Sequence, residues 1–257
     1  QSDSVSFTFP NFWSDVEDSI IFQGDANTTA GTLQLCKTNQ YGTPLQWSAG
    51  RALYSDPVQL WDNKTESVAS FYTEFTFFLK ITGNGPADGL AFFLAPPDSD
   101  VKDAGEYLGL FNKSTATQPS KNQVVAVEFD TWTNPNFPEP SYRHIGINVN
   151  SIVSVATKRW EDSDIFSGKI ATARISYDGS AEILTVVLSY PDGSDYILSH
   201  SVDMRQNLPE SVRVGISAST GNNQFLTVYI LSWRFSSNLQ STSVKAAMEP
   251  EITRTVV

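Results

Sequence analysis

The run EFDTWTNPNFPEPSYRH, residues 128–144, gathers Glu128, Asp130, Trp132, Asn134, Glu139 and His144. Glu128 and Asp130 stand two apart in the apolar run VVAVEFD, and strand residues i and i+2 share a face. Carboxylates so placed resist joint ionisation where water is scarce, unless a cation or a proton comes between them. A solvated strand face remains open, because Val127 and Phe129 alternate to the other side. Downstream, Asn134, Glu139 and His144 follow on an irregular stretch stiffened by Pro135, Pro138 and Pro140. Carboxylate, amide and carbonyl oxygens suit a hard cation such as Ca²⁺. One imidazole beside carboxylates suits Mn²⁺ or another transition ion. A lone histidine is more often a satisfied structural residue, so spacing alone leaves His144 open.

These residues need a frame, and the frame reads as β. Period-two alternation recurs in short segments. SVSFTF (4–9) aligns Val5, Phe7 and Phe9, and SVASFYTEFTFFLK (67–80) aligns Phe71, Phe75, Phe77 and Leu79. GLAFFLA, QVVAVEFDT, HIGINVNSIVSVAT, TARISY, EILTVVLSY, SDYILSHSV, VRVGISAS and FLTVYILSWRF continue the series. YDGS and PDGS are hairpin signals, since Asp-Gly accepts the positive φ of tight turns. STGNNQ (219–224) reads as a polar loop or an Asn-rich hairpin turn. Helical periodicity is confined to a turn near 203–208. Many short strands without alternating helices imply an all-β sandwich or jelly roll. One domain is expected over 1–238, followed by a weakly structured tail over 239–257.

The 257-residue chain is 40% hydrophobic and 12% aromatic, enough for a substantial core. Its net charge of -11 repels polyanions, which argues against nucleic acid or an anionic membrane as partner. A single cysteine, Cys36 in TLQLCKT, excludes an intramolecular disulfide and a Cys-based zinc site and reads as a strand thiol. No apolar run is long enough for a membrane-spanning helix. The start at Gln1, without Met or an apolar leader, fits a processed secretory product. The sequons at Asn27, Asn63 and Asn112 fit the same route as glycosylation acceptors.

VAVEFDTWTN followed by HIGINVNSIVS resembles the metal-binding signature of the legume lectins. PADGLAFFLAPPD, EYLGLF and YILSWRF belong to the same pattern, and the likeness covers essentially residues 2–238. The resemblance implies the legume-lectin (concanavalin-like) jelly roll, a two-sheet sandwich, with a Mn²⁺ and Ca²⁺ pair beneath a sugar site. Carried over, Glu128, Asp130, Glu139 and His144 would hold Mn²⁺. Asp130, the Trp132 carbonyl, Asn134 and Glu139 would hold Ca²⁺, and Ser154 would bind a manganese-bound water. Asp88, on a turn whose Ala87–Asp88 bond is cis in the family, would accept from two sugar hydroxyls. Asn134 would donate its amide, Trp132 would stack, and Glu106, Asn222 and Asn223 would complete the pocket. Two residues depart from the family pattern. Glu139 stands where an Asp is usual. Glu106 stands where a glycine backbone N–H is usual, and Glu disfavours positive φ.

The resemblance further implies a multivalent homodimer or homotetramer, built largely through back-sheet contacts. Its glycan partners would carry terminal galactose, α-galactosyl above all, or N-acetylgalactosamine. The location implied is a seed storage vacuole or the extracellular space. Two rival classes are an enzyme and a storage protein without ligand. Laminarinase-type jelly-roll hydrolases use E-x-D-x-x-E, and Glu128-Phe129-Asp130 matches its first half. Position 133 is Thr133, so the second carboxyl that hydrolysis needs is missing. A Ser-His-Asp centre would have only His144 and His200 to use, and there is no G-x-S-x-G. No enzyme is therefore expected.

Overall fold

The computed structural model describes residues 3–13, 16–83, 85–222 and 226–240. Asn223 and residues 241–257 of the expected tail lie outside them. In chain order the strands are β1 (Asp3–Phe9), β2 (Ile20–Gly24), β3 (Asn27–Thr29), β4 (Thr32–Gln34), β5 (Ala49–Tyr54) and β6 (Val58–Gln59). Then come β7 (Trp61–Asp62), β8 (Ser67–Val68), β9 (Ser70–Ile81), β10 (Gly89–Ala95), β11 (Val125–Asp130) and β12 (His144–Val149). The last are β13 (Ala156–Arg159), β14 (Ala171–Asp178), β15 (Ile183–Ser189), β16 (Asp195–Ser201), β17 (Ser211–Ser219) and β18 (Leu226–Leu239). Two short helices, α1 (Asp162–Ile165) and α2 (Met204–Asn207), interrupt them.

All strands but β7 and β8, which pair with each other, form two antiparallel sheets. The back sheet runs β16-β15-β14-β9-β18-β4-β3, with β1 also on β18; the front sheet runs β13-β12-β11-β10-β17-β5-β2, with β6 on β17. Phe75 and Phe77 of β9, Phe92 of β10, Phe129 of β11, Ile175 of β14 and Trp233 of β18 interdigitate between the sheets. β9 alternates buried and less buried residues along almost its whole length, as its spacing predicts. β10 and β11 are buried at every residue, because the front sheet is covered on its second face as well. There Ala91, Phe93 and Ala126 pack under Leu108 and Phe111 from the long β10–β11 connection.

In FLTVYILSWRF the inward positions change phase, from Val228 and Ile230 to Trp233 and Phe235. The register shift between Ile230 and Ser232 accounts for this, since a bulge inserts one residue and exchanges the two faces.

Several expectations are corrected. Cys36 is buried but lies in a bend beyond β4, not on a strand. No hairpin joins β17 and β18, which belong to the front and the back sheet respectively. At YDGS the glycine has no positive φ, which falls instead on Glu182 (φ 56), two residues beyond the motif, while PDGS places it on Gly193 (φ 88) as expected. The final strand reaches Leu239, one residue past the expected domain end. α2 coincides with the expected turn near 203–208, whereas α1 and the strands β2 and β5 carry no decisive periodicity.

Candidate metal centre and ligand pocket

β11 and β12 pair so that Asp130 faces His144 and Glu128 faces Gly146. Ala126, Glu128 and Asp130 point away from the inter-sheet core, and both carboxylates are buried, at 2% and 8% exposure. That removes the solvated-face reading. The covering connections shield this face, and β11 delivers its carboxylates into a site with little water.

Asp130, Glu139 and His144 converge, with one ligand atom from each within 4.8 Å of the others. Glu128 joins through His144, whose Nε2 lies 3.2 Å from Glu128 Oε1. Ser154 Oγ donates to that same Oε1. Glycine at 146 is required here: a Cβ would run into Ser154 Oγ and come within 2.5 Å of Glu128 Oε1. The Nδ1 of His144 lies 3.3 Å from the Tyr142 carbonyl. With Nδ1–H donated there, Nε2 is left to face the carboxylates or an ion.

The loop between the two strands is wired to the same groups. Trp132 N–H donates to Asp130 Oδ1 at 2.7 Å, and Asn134 N–H donates to Glu139 Oε1 at 2.6 Å. Burial, followed by the charges of Glu128 and Glu139, holds the Asp130 carboxyl well above the usual range. Burial also pushes Glu139 up to about 7, with Glu128 adding to it and the Asn134 N–H opposing. For His144, burial works against the charged ring, but the hydrogen bond and charge of Glu128 prevail and raise it. A buried cluster of acids that holds protons this tightly is short of positive charge. Its oxygens and single imidazole are the donor set that Ca²⁺ and Mn²⁺ accept.

Asp88 ends the turn before β10 and is 5% exposed; its peptide bond to Ala87 is cis. Its backbone is held between two segments: its N–H donates to Ser219 O at 3.0 Å, and its carbonyl accepts from Thr131 N–H at 3.1 Å. The second bond ties Asp88 to the metal loop. Asp88 Oδ2 is buried with no hydrogen-bond partner. Burial and the nearby Glu106 charge push the carboxyl up to about 7, with the Gly221 N–H pulling the other way. A Cβ at 221 would approach Oδ2 to 2.8 Å, so glycine leaves room beside that oxygen.

Glu106 lies in a 3₁₀ turn, Gly105–Tyr107, and is half-buried. The positive φ falls on Gly105 (φ 72), so the glutamate does not have to adopt it. Trp132 and Asn134 are half-buried and Asn222 is exposed. One wall was missed by sequence reasoning. Trp47 is 60% exposed with φ 54, and its N–H donates to Gly221 O at 3.3 Å. A Cβ at Gly105 would meet its ring at 3.1 Å, so the indole borders Gly105 and Gly221. It sits in an aperiodic loop, and only the tertiary contact brings it here.

The legume lectin domain profile matches residues 4–251. The chain belongs to the legume lectin family. It is 57% identical to Lectin-4 of Griffonia simplicifolia over 243 residues, 93% of this chain and 99% of that one. The solved lectin of Bauhinia forficata in complex with GalNAc superposes with a TM-score of 0.86 at 53% identity, covering 92% and 99%. The winged bean acidic lectin complexed with methyl-alpha-D-galactose gives 0.83 at 39%, covering 93% and 100%. This legume lectin is thus a carbohydrate-binding protein rather than an enzyme.

Proposed function

We propose that the chain is a Ca²⁺- and Mn²⁺-dependent lectin for terminal galactose, α-galactosyl above all, or N-acetylgalactosamine, acting without chemical turnover. The observation that carries this reading is Asp88. A buried carboxylate oxygen without a partner, beside a glycine and two exposed or half-buried indoles, calls for a ligand rich in hydroxyl donors.

When bound, the ions supply the positive charge that this cluster lacks. Glu128, Asp130, Glu139 and His144 would hold Mn²⁺, with Ser154 positioning Glu128. Asp130, the Trp132 carbonyl, Asn134 and Glu139 would hold Ca²⁺. Asp88 accepts from two adjacent sugar hydroxyls, Asn134 donates its amide, and Glu106 lies at the rim with Asn222. Trp132 and Trp47 offer flat apolar faces to the sugar C–H groups. The Thr131–Asp88 hydrogen bond passes the order of the metal loop to the sugar pocket. Galactose-type sugars are favoured by the ligands of the Bauhinia and winged bean lectins.

Single shallow sites bind weakly, so agglutination requires several per particle. The outer back sheet carries an apolar patch of Phe78, Ile170, Tyr229 and Leu231, which fits assembly into a homodimer or homotetramer. Asn27, Asn63 and Asn112 are exposed and open to glycosylation, in keeping with a secreted or vacuolar seed protein. The test is elemental analysis after dialysis against Ca²⁺ and Mn²⁺, paired with galactose-inhibited red-cell agglutination. Bound ions with inhibitable agglutination support the reading; absence of both ions, or sugar release from galactosides, overturns it.

A further inference from the structure

Strand β10 has Asp88 and its pocket at one end. Beyond its other end, Ala95, lies a separate polar cavity of about 310 Å³. Six residues of strand place it about 20 Å away. Arg51, Ser99, Lys102, Asn112, Lys121 and Gln123 contribute to its lining.

Arg51 is the unusual member. It comes from β5, is 1% exposed, and lies over the Phe93 ring at 4.5 Å. Its terminal nitrogens donate to Ser99 Oγ at 3.2 Å, to the Asp100 carbonyl at 2.9 Å and to the Ser99 carbonyl at 3.3 Å. Its Nε has no partner. Among the described residues no carboxylate forms an ion pair with it, nor with Lys102 or Lys121. A buried guanidinium without a direct ion pair is costly, and here burial lowers its pKa to about 10, with the charge of Asp100 opposing. Asp98 is the one carboxylate in the lining, and it is exposed. The lining therefore carries three cations and one anion, with Asp100 acting on Arg51 from beside it, in a chain whose net charge is -11.

We propose that this cavity binds a phosphate or sulfate oxyanion, free or as a monoester, with Arg51 at its floor and Lys102 and Lys121 at its rim. Arg51 offers an oxyanion its positive charge and its unpartnered Nε–H, its Nη donors being held by Ser99 and Asp100, while the lysines act as point charges. The side-chain amide of Gln123 adds a neutral donor. Space beyond that needed for the oxyanion leaves room for a small alcohol part.

The experiment is calorimetric titration of the full chain, freed of unbound metal, with inorganic phosphate, inorganic sulfate and glycerol 3-phosphate. Chloride at matched ionic strength is the control, because sulfate and phosphate also stabilise proteins non-specifically. Saturable binding of at least one oxyanion is expected. Lys102→Ala with Lys121→Ala should weaken it at least tenfold and leave galactose binding unchanged. These lysines are rim residues, so the double variant should fold; Lys121→Glu alone gives a second reading. Equal affinity for phosphate and the ester assigns a free oxyanion as ligand, and tighter ester binding assigns a monoester. No saturable binding beyond chloride, or undiminished affinity in the double variant, overturns the proposal. Galactose titration of the same samples separates that failure from any failure of the lectin reading.

Discussion

Asp88 is where the account is most exposed to a single substitution. Two hydroxyl hydrogen bonds to a carboxylate contribute about 3 kcal/mol or more together, so Asp88→Ala should lower galactoside affinity at least a hundredfold. Bound metal and melting temperature should stay near wild type, because a buried carboxylate with one oxygen unpartnered adds little to stability. Near-normal galactoside affinity by calorimetry would move the site elsewhere. Glu106 permits a pH test. Its charge helps push the Asp88 carboxyl up to about 7, and only ionised Asp88 accepts from both hydroxyls. Binding should fail as pH drops, and Glu106→Gln should shift that acid limb to lower pH. A limb that stays in place would show that Glu106 does not act on Asp88. Much of this chemistry was legible in the sequence: the spacing of Glu128 and Asp130 dictates a shared face, and Thr133 removes the hydrolase option. Trp47 and Gly221 were not legible, because their role arises from a contact between distant loops.

Among elements, the metal loop is fastened by a residue that no spacing singled out. Arg143 Nε donates to the Thr131 carbonyl at 2.7 Å, its Nη1 meets Asp162 of α1 at 2.9 Å, and its guanidinium lies 5.3 Å from the Phe166 ring. Arg143→Ala should loosen residues 131–143 and weaken metal retention several-fold, while sugar affinity at saturating metal stays near wild type. Unchanged metal affinity in a chelator competition would deny Arg143 this positioning part. Strands with one face against the core, such as β9, were readable because burial alternates with period two. β10 and β11 read as strands from apolar continuity, but their two-sided burial depends on a connection folding back over them. Which sheet β17 and β18 join is set by long-range pairing, which local patterns do not encode.

Across the whole molecule, the acidic cluster links pH, metal and stability. Without metal, the folded state holds protons on Glu139 up to about pH 7, whereas an unfolded Glu releases them near 4.3. The folded carboxyl being the higher, its contribution to stability is present at low pH and is lost as pH rises through that window. Metal-free protein should therefore melt at lower temperature at pH 7.5 than at pH 5.5. Ca²⁺ with Mn²⁺ should raise the melting temperature most at pH 7.5. At a hundredfold excess over Kd, the gain should be roughly 5–10 °C for a chain of this size. A melting temperature that rises with pH in the metal-free protein would contradict the reading of the cluster as starved of cations. The most direct measurement of the central claim is calorimetric titration with methyl α-galactoside, run on metal-loaded protein, after chelator, and after metal is restored. The account predicts saturable binding, its loss with chelator and its return with Ca²⁺ and Mn²⁺; binding of equal strength in all three would contradict it.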